Sequence, residues 1–154
     1  MFLDINLIIL CKKNGERSWD YDALVKLKIF FIKLFSNSFS NIDINFYDYY
    51  INVSNDNIIE YGSIYMEQNF FRNNLKKNIR DNKNKIFNFY LLTSIENNTA
   101  GFYNSREKYG IIARKVFYTK YNLYNYDIKH KSIVLYHEFG HACGLKHISE
   151  EDNI

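Results

Sequence analysis

The chain has 154 residues and a formal net charge of +3 at neutral pH. Hydrophobic residues make up 47% and aromatics 18%, enough to fill a single core and too rich for a disordered chain. Proline is absent, so the strongest turn signal is missing throughout.

Basic residues are scattered. The small clusters Lys76-Lys77 and Lys129-His130-Lys131 read as solvated surface. Neither a basic stripe nor a recognisable module is present, so nucleic acid is not an expected partner. Cys11 and Cys143 make no disulfide framework; both read as buried free thiols, which suits a reducing compartment.

Leu3–Cys11 reads as a buried first strand. It lacks the basic flank and small-residue cleavage site of a leader and carries Asp4. No run approaches the roughly 18 apolar residues of a membrane span, so a soluble, intracellular (cytoplasmic) protein with no membrane partner is expected. Lys12-Lys13-Asn14-Gly15 makes a turn. Asp20 and Asp22 suit a helix start, where carboxylates oppose the N-terminal dipole. Leu24, Leu27, Phe31 and Leu34 recur at helical spacing, which predicts a helix over 21–35. Phe30 and Ile32 widen its apolar surface and should be mostly covered. Ile42, Ile44 and Phe46 alternate with polar residues, as in a strand. Residues 63–80 read as a helix with Tyr65, Asn69, Arg72 and Lys76 on a solvated side. Strands are expected at Ile86–Thr93, Ala100–Tyr103 and Ile111–Tyr118. The last element is a helix over 128–143 with Asp127 as N-cap. It places Leu135, Phe139 and Ala142 on one face, and His137 and His141 on another.

Residues 137–147 read His-Glu-Phe-Gly-His-Ala-Cys-Gly-Leu-Lys-His. Four residues of helix turn about 400°, so His137 and His141 project from one side, one turn apart. Two imidazoles so placed can share one tetrahedral zinc. Glu138 follows the first ligand and can reach a zinc-bound water without ligating the metal itself. Gly144 tolerates positive φ, so the helix can stop there and the chain can swing back with His147 as third ligand. Three protein ligands leave one zinc position open, the mark of a catalytic site. His130 fits no ligand spacing and reads as a surface residue.

The pattern H-E-x-x-H-x-x-G-x-x-H resembles that of the metzincin zinc metallopeptidases. The likeness is greatest to the archaemetzincins, with the matrixins second. Three features resemble that branch: a short chain starting directly on a strand, the strand Phe89-Tyr90-Leu91-Leu92-Thr93-Ser94, and Gly101-Phe102-Tyr103 followed by Gly110-Ile111-Ile112-Ala113-Arg114. The resemblance implies a zincin-like α/β (α+β) fold, a twisted and mostly parallel sheet with a backing helix and an active-site helix. It implies His137, His141 and His147 as ligands of one catalytic Zn2+, Glu138 as general base, and a peptide or protein substrate extended along the edge strand near Ala100, Gly101, Phe102 and Tyr103. The chain departs from the family in two ways. The family's methionine turn would fall one position beyond Ile154, so residues 1–154 read as a single catalytic domain cut short at its C-terminus. The cysteines of a second zinc site would align with Ile148 and Asn153, so that site is not expected. The alternative is a zinc-holding module that captures extended peptides without cutting them.

Overall fold

The computed structural model of the chain describes residues 2–60, 70–71, 86–115 and 128–147. Strand β1 is Phe2–Cys11, and β2 is Asp43–Asn52. β3 is Ile86–Leu92, β4 is Gly101–Asn104 and β5 is Tyr109–Ala113. They form one sheet in the order β2-β1-β3-β5-β4. β1 pairs parallel with β2 and β3, and β3 pairs parallel with β5. Only β4, at one edge, runs antiparallel. The expectation of a mixed α/β chain built on a mostly parallel sheet holds.

Alternation along β1 divides the core into two layers, because successive side chains leave a strand on opposite faces. Ile5, Leu7, Ile9 and Cys11 belong to one cluster, with Phe89, Leu91 and Ile112. Ile8 and Leu10 belong to the other, with Tyr90, Leu92, Tyr109 and Ile111. A strand buried on both faces reads as a continuous apolar run, as Leu3–Cys11 does.

Helix α1 is Tyr21–Ser38, and α3 is Ile128–Ala142. Both lie on the first of these layers. Asp20 caps α1 by accepting the Ala23 N–H at 2.8 Å, satisfying one of the donors a helix start leaves unpaired. The helices meet through Phe31, which is fully buried. Its ring stands edge-on to Phe46, Tyr136 and Phe139 at centroid distances of 5.7, 5.9 and 5.7 Å. The second layer is covered in part by the one-turn helix α2, Asn57–Glu60, and by Phe71, whose carbonyl accepts the Tyr90 hydroxyl at 2.6 Å.

Several boundaries and exposures differ from expectation. α1 runs to Ser38, one turn further than the apolar repeat, and β2 continues to Asn52 without clean alternation. Ile32 is 41% exposed, because the α1 stripe that meets the sheet and α3 is Ala23, Leu24, Leu27, Phe31 and Phe35. β5 begins at Tyr109, not Ile111, and ends at Ala113. β4 is shifted one residue from Ala100–Tyr103. Cys143 is exposed, not buried, because it caps α3 instead of lying within it; Cys11 is buried, and both thiols are free. Lys131, expected on the solvated surface, is only 4% exposed, because it shares the buried stripe of α3 with Leu135 and Glu138. His130 is exposed as expected. Apart from Phe70 and Phe71, the helix expected over 63–80 lies outside the described residues, as do Asp127 and positions 116–118. Among the described residues, no helix is long and apolar enough to cross a membrane.

Phe31→Ala should lose about 3–5 kcal/mol, the cost of emptying a filled aromatic site. Urea unfolding checks this, with an unchanged slope showing that the same surface is still exposed on unfolding.

Candidate metal centre

The stripe that α3 buries fixes the direction of the other stripe. Ser132, Leu135 and Phe139 are buried, so His137 and His141 turn outward, His137 exposed and His141 half-buried. Glu138 lies on the buried side at 7% exposure. One helix thus turns His137 and His141 outward and a carboxyl against the sheet.

α3 ends in a Schellman turn. The Gly144 N–H donates to the His141 carbonyl at 2.9 Å, and the Leu145 N–H donates to the Gly140 carbonyl at 3.0 Å, the paired reverse bonds that close a helix through a left-handed residue. Gly144 supplies that residue with φ 96°. The reversal brings His147 beside His141 in space, as its place in the motif predicted.

The Nε2 atom of His141 lies 3.1 Å from Nε2 of His137 and 3.0 Å from Nε2 of His147. All three ligand atoms fall within 4.8 Å of one another. Two nitrogens about 2.0–2.1 Å from a shared tetrahedral ion are separated by about 3.3 Å, so the spacing fits a common cation. Nδ1 of His141 lies 2.7 Å from the Leu145 carbonyl oxygen. A carbonyl only accepts, so Nδ1 carries the proton and Nε2 presents its lone pair, the orienting arrangement usual behind a metal-binding histidine. The three side chains therefore fit a zinc ion. The Leu145 carbonyl is a site feature the sequence reading missed, since a main-chain group leaves no residue-type signal.

Burial, together with the neighbouring His141 and His147, holds His137 below its ordinary value of 6.5. Burial pushes Glu138 above its ordinary value, while His141 pulls the other way. A carboxyl so raised takes up a proton more readily, as a general base near neutrality requires.

The edge strand β4 packs on α3 at this point. A methyl group added to Gly101 would lie 2.6 Å from Cγ1 of Val134 and 3.2 Å from Cγ of Glu138. Only glycine lets the strand pass this close, and a lone glycine in a strand is a sequence sign of such an approach. A cleft of about 420 Å³ runs between β4 and the motif, lined by Gly101, Phe102, Tyr103, Glu138, His141 and His147 among others. Of the residues expected at the site, Ala100 and His137 do not line this cleft; Ala100 precedes β4, and His137 lines a neighbouring hollow with His141 and His147.

Gly101→Ala should destabilise the fold by about 1–3 kcal/mol, the usual cost of overpacking, read as a lowered denaturation midpoint. Zinc should stabilise the chain by about 2.7 kcal/mol at a hundredfold excess over its Kd. This gain should appear as slowed amide exchange over 128–147 and vanish in His147→Ala. With His137 held low, the folded chain binds fewer protons than the unfolded one between that lowered value and 6.5, so stability rises with pH there. Zinc needs neutral imidazoles, so its protection should be present at pH 7.5 and lost at pH 5.5.

No protein-family model, no curated protein and no solved structure matches this chain.

Proposed function

We propose that this chain is a zinc-dependent peptidase with a zincin-like fold, most similar to the archaemetzincins, hydrolysing peptide bonds in the cleft between β4 and α3. The observation that carries this reading is the convergence of three imidazole nitrogens with a buried carboxyl on the next helix position. A zinc ion held by His137, His141 and His147 would lower the pKa of a bound water towards about 7 and polarise a carbonyl.

The chain's own groups supply the remainder. Glu138 takes the proton of the attacking water and returns it to the leaving amine, and its raised proton affinity serves both transfers. β4 supplies the orientation. Ala113 donates its N–H to the Ala100 carbonyl at 2.9 Å. In the β4–β5 register Phe102 faces Ile111, two residues along the same ladder. Residues of an antiparallel ladder alternate in the direction of their backbone groups, so Gly101 and Tyr103 turn their N–H and C=O to the open edge. An extended peptide can add there as a further strand, its scissile bond alongside Glu138.

Glu138→Gln keeps the shape and the ligands. It should lower turnover of a quenched-peptide library by about 10²–10⁴-fold while zinc binding is retained. The metal-free variant should melt above wild type, because a carboxyl whose proton affinity rises on folding destabilises the fold when ionised at neutral pH. Equal cleavage by wild type and variant would overturn the peptidase reading. Retention of peptides by both without cleavage would favour a binding module on the same edge.

A further inference from the structure

Two hollows meet at the imidazole cluster. One is the cleft of about 420 Å³ between β4 and the motif. The other, of about 370 Å³, opens along α3 and is lined by Ile133, Tyr136 and His137 among others. His141 and His147 border both, and so do Leu145 and Lys146. Leu145 and Lys146 are the two residues between the left-handed Gly144 and His147. The turn that presents His147 therefore also presents these two at the seam of the hollows. Leu145 is 69% exposed, and Lys146 is exposed as well.

Among the residues that line the two hollows, Lys146 is the one lysine or arginine and Glu138 the one carboxylate. Glu138 is 7% exposed and lies against Gly101 of β4, so it does not answer a charge at the rim. Among the described residues, Lys12 and Lys28 pair with carboxylates and Lys146 does not. An unpaired lysine on an open surface says nothing about a ligand. Lys146 differs in its place, because it borders both hollows and adjoins the third imidazole.

We propose, building on the peptidase reading above, that Lys146 sets the substrate class: peptides that carry a carboxylate beside the scissile bond. An extended peptide added to the open edge of β4 runs past Glu138 and the imidazoles, so the residues flanking its scissile bond come before Lys146. A lysine is a point charge on a flexible stem and reaches a carboxylate on either side of the seam. A basic side chain at the same place meets a like charge. Selectivity is the difference between the two, attraction for one substrate and repulsion for the other. The carboxylate has two sources of equal charge, an Asp or Glu side chain within the peptide or the free C-terminus of a short one.

The test uses the zinc-loaded full chain and quenched peptides in which one position at a time carries Glu, Gln or Lys, each with an amidated C-terminus. A parallel set keeps the C-terminus free. At a position beside the scissile bond, wild type should cleave the Glu form about fivefold faster in kcat/KM than the Lys form, with Gln between, as an exposed charge contact allows. A stronger response to the free C-terminus than to Glu names the chain end as the source. Lys146→Glu should invert the order, and Lys146→Met should bring the three forms within about twofold of one another. Each comparison is a ratio within one protein, so a general loss of activity does not imitate it. Fluorescence anisotropy of labelled peptides on zinc-loaded Glu138→Gln reads the same preference without turnover. Binding that follows charge there and inverts when Lys146→Glu is added, with no cleavage by wild type, would keep the carboxylate preference and remove the peptidase reading. Equal handling of carboxylate and Lys forms in both assays, or an order that Lys146→Glu leaves unchanged, would overturn the proposal.

Discussion

The rotation of α3 about its own axis is the constraint on which the site depends. Leu135 is fully buried and Phe139 nearly so. Phe139 is held among Phe31, Phe35 and Phe87 at ring distances of 5.7, 5.9 and 4.7 Å. A helix pinned through one stripe has no freedom to turn the next, because its side-chain directions repeat every 3.6 residues. Burying Leu135 and Phe139 is therefore what aims His137 and His141 outward. Glu138, between the stripes, is forced under the edge strand. Side-chain packing on the far side of the helix sets the direction of the imidazoles on the near side.

The third imidazole depends on a different device. α3 cannot carry it, since the position one turn beyond His141 on the same side is Leu145, already past the helix end. The left-handed turn at Gly144 reverses the chain, and the same reversal places the Leu145 carbonyl against Nδ1 of His141. One backbone turn thus places the third imidazole and sets the proton position of its neighbour. The approach of β4 at Gly101 completes the arrangement by shielding Glu138, and this shielding raises its affinity for a proton.

Much of this was legible in the sequence because the signals were local. The histidine spacing, Gly144, the apolar run of β1 and the repeat Leu24, Leu27, Phe31 all state their structure within a few residues. What was not legible depends on distant partners. Ile32 looked like core, but among the described residues no element covers that side of α1, and it is 41% exposed. Lys131 looked like surface because it belongs to the basic cluster Lys129-His130-Lys131, yet it follows the helix period into the Leu135–Glu138 stripe. Tyr90 and Tyr109 form a second aromatic cluster with Phe71 on the other face of the sheet. Its members come from separate strands and from position 71, so no periodicity announces it. β2 hid its length because an edge strand with partial cover on both faces has no strict alternation to read.

The central claim is that one zinc ion is held by three histidines with a fourth position left open. Zinc K-edge X-ray absorption on the zinc-loaded chain tests it most directly. The account predicts three imidazole nitrogens and one oxygen at about 2.0–2.1 Å, with no sulfur in the shell. Cys143, exposed two residues after His141, is the thiol nearest in sequence to the ligands. A scatterer at about 2.3 Å, the distance of a thiolate, or a closed shell of four protein ligands would contradict the open site.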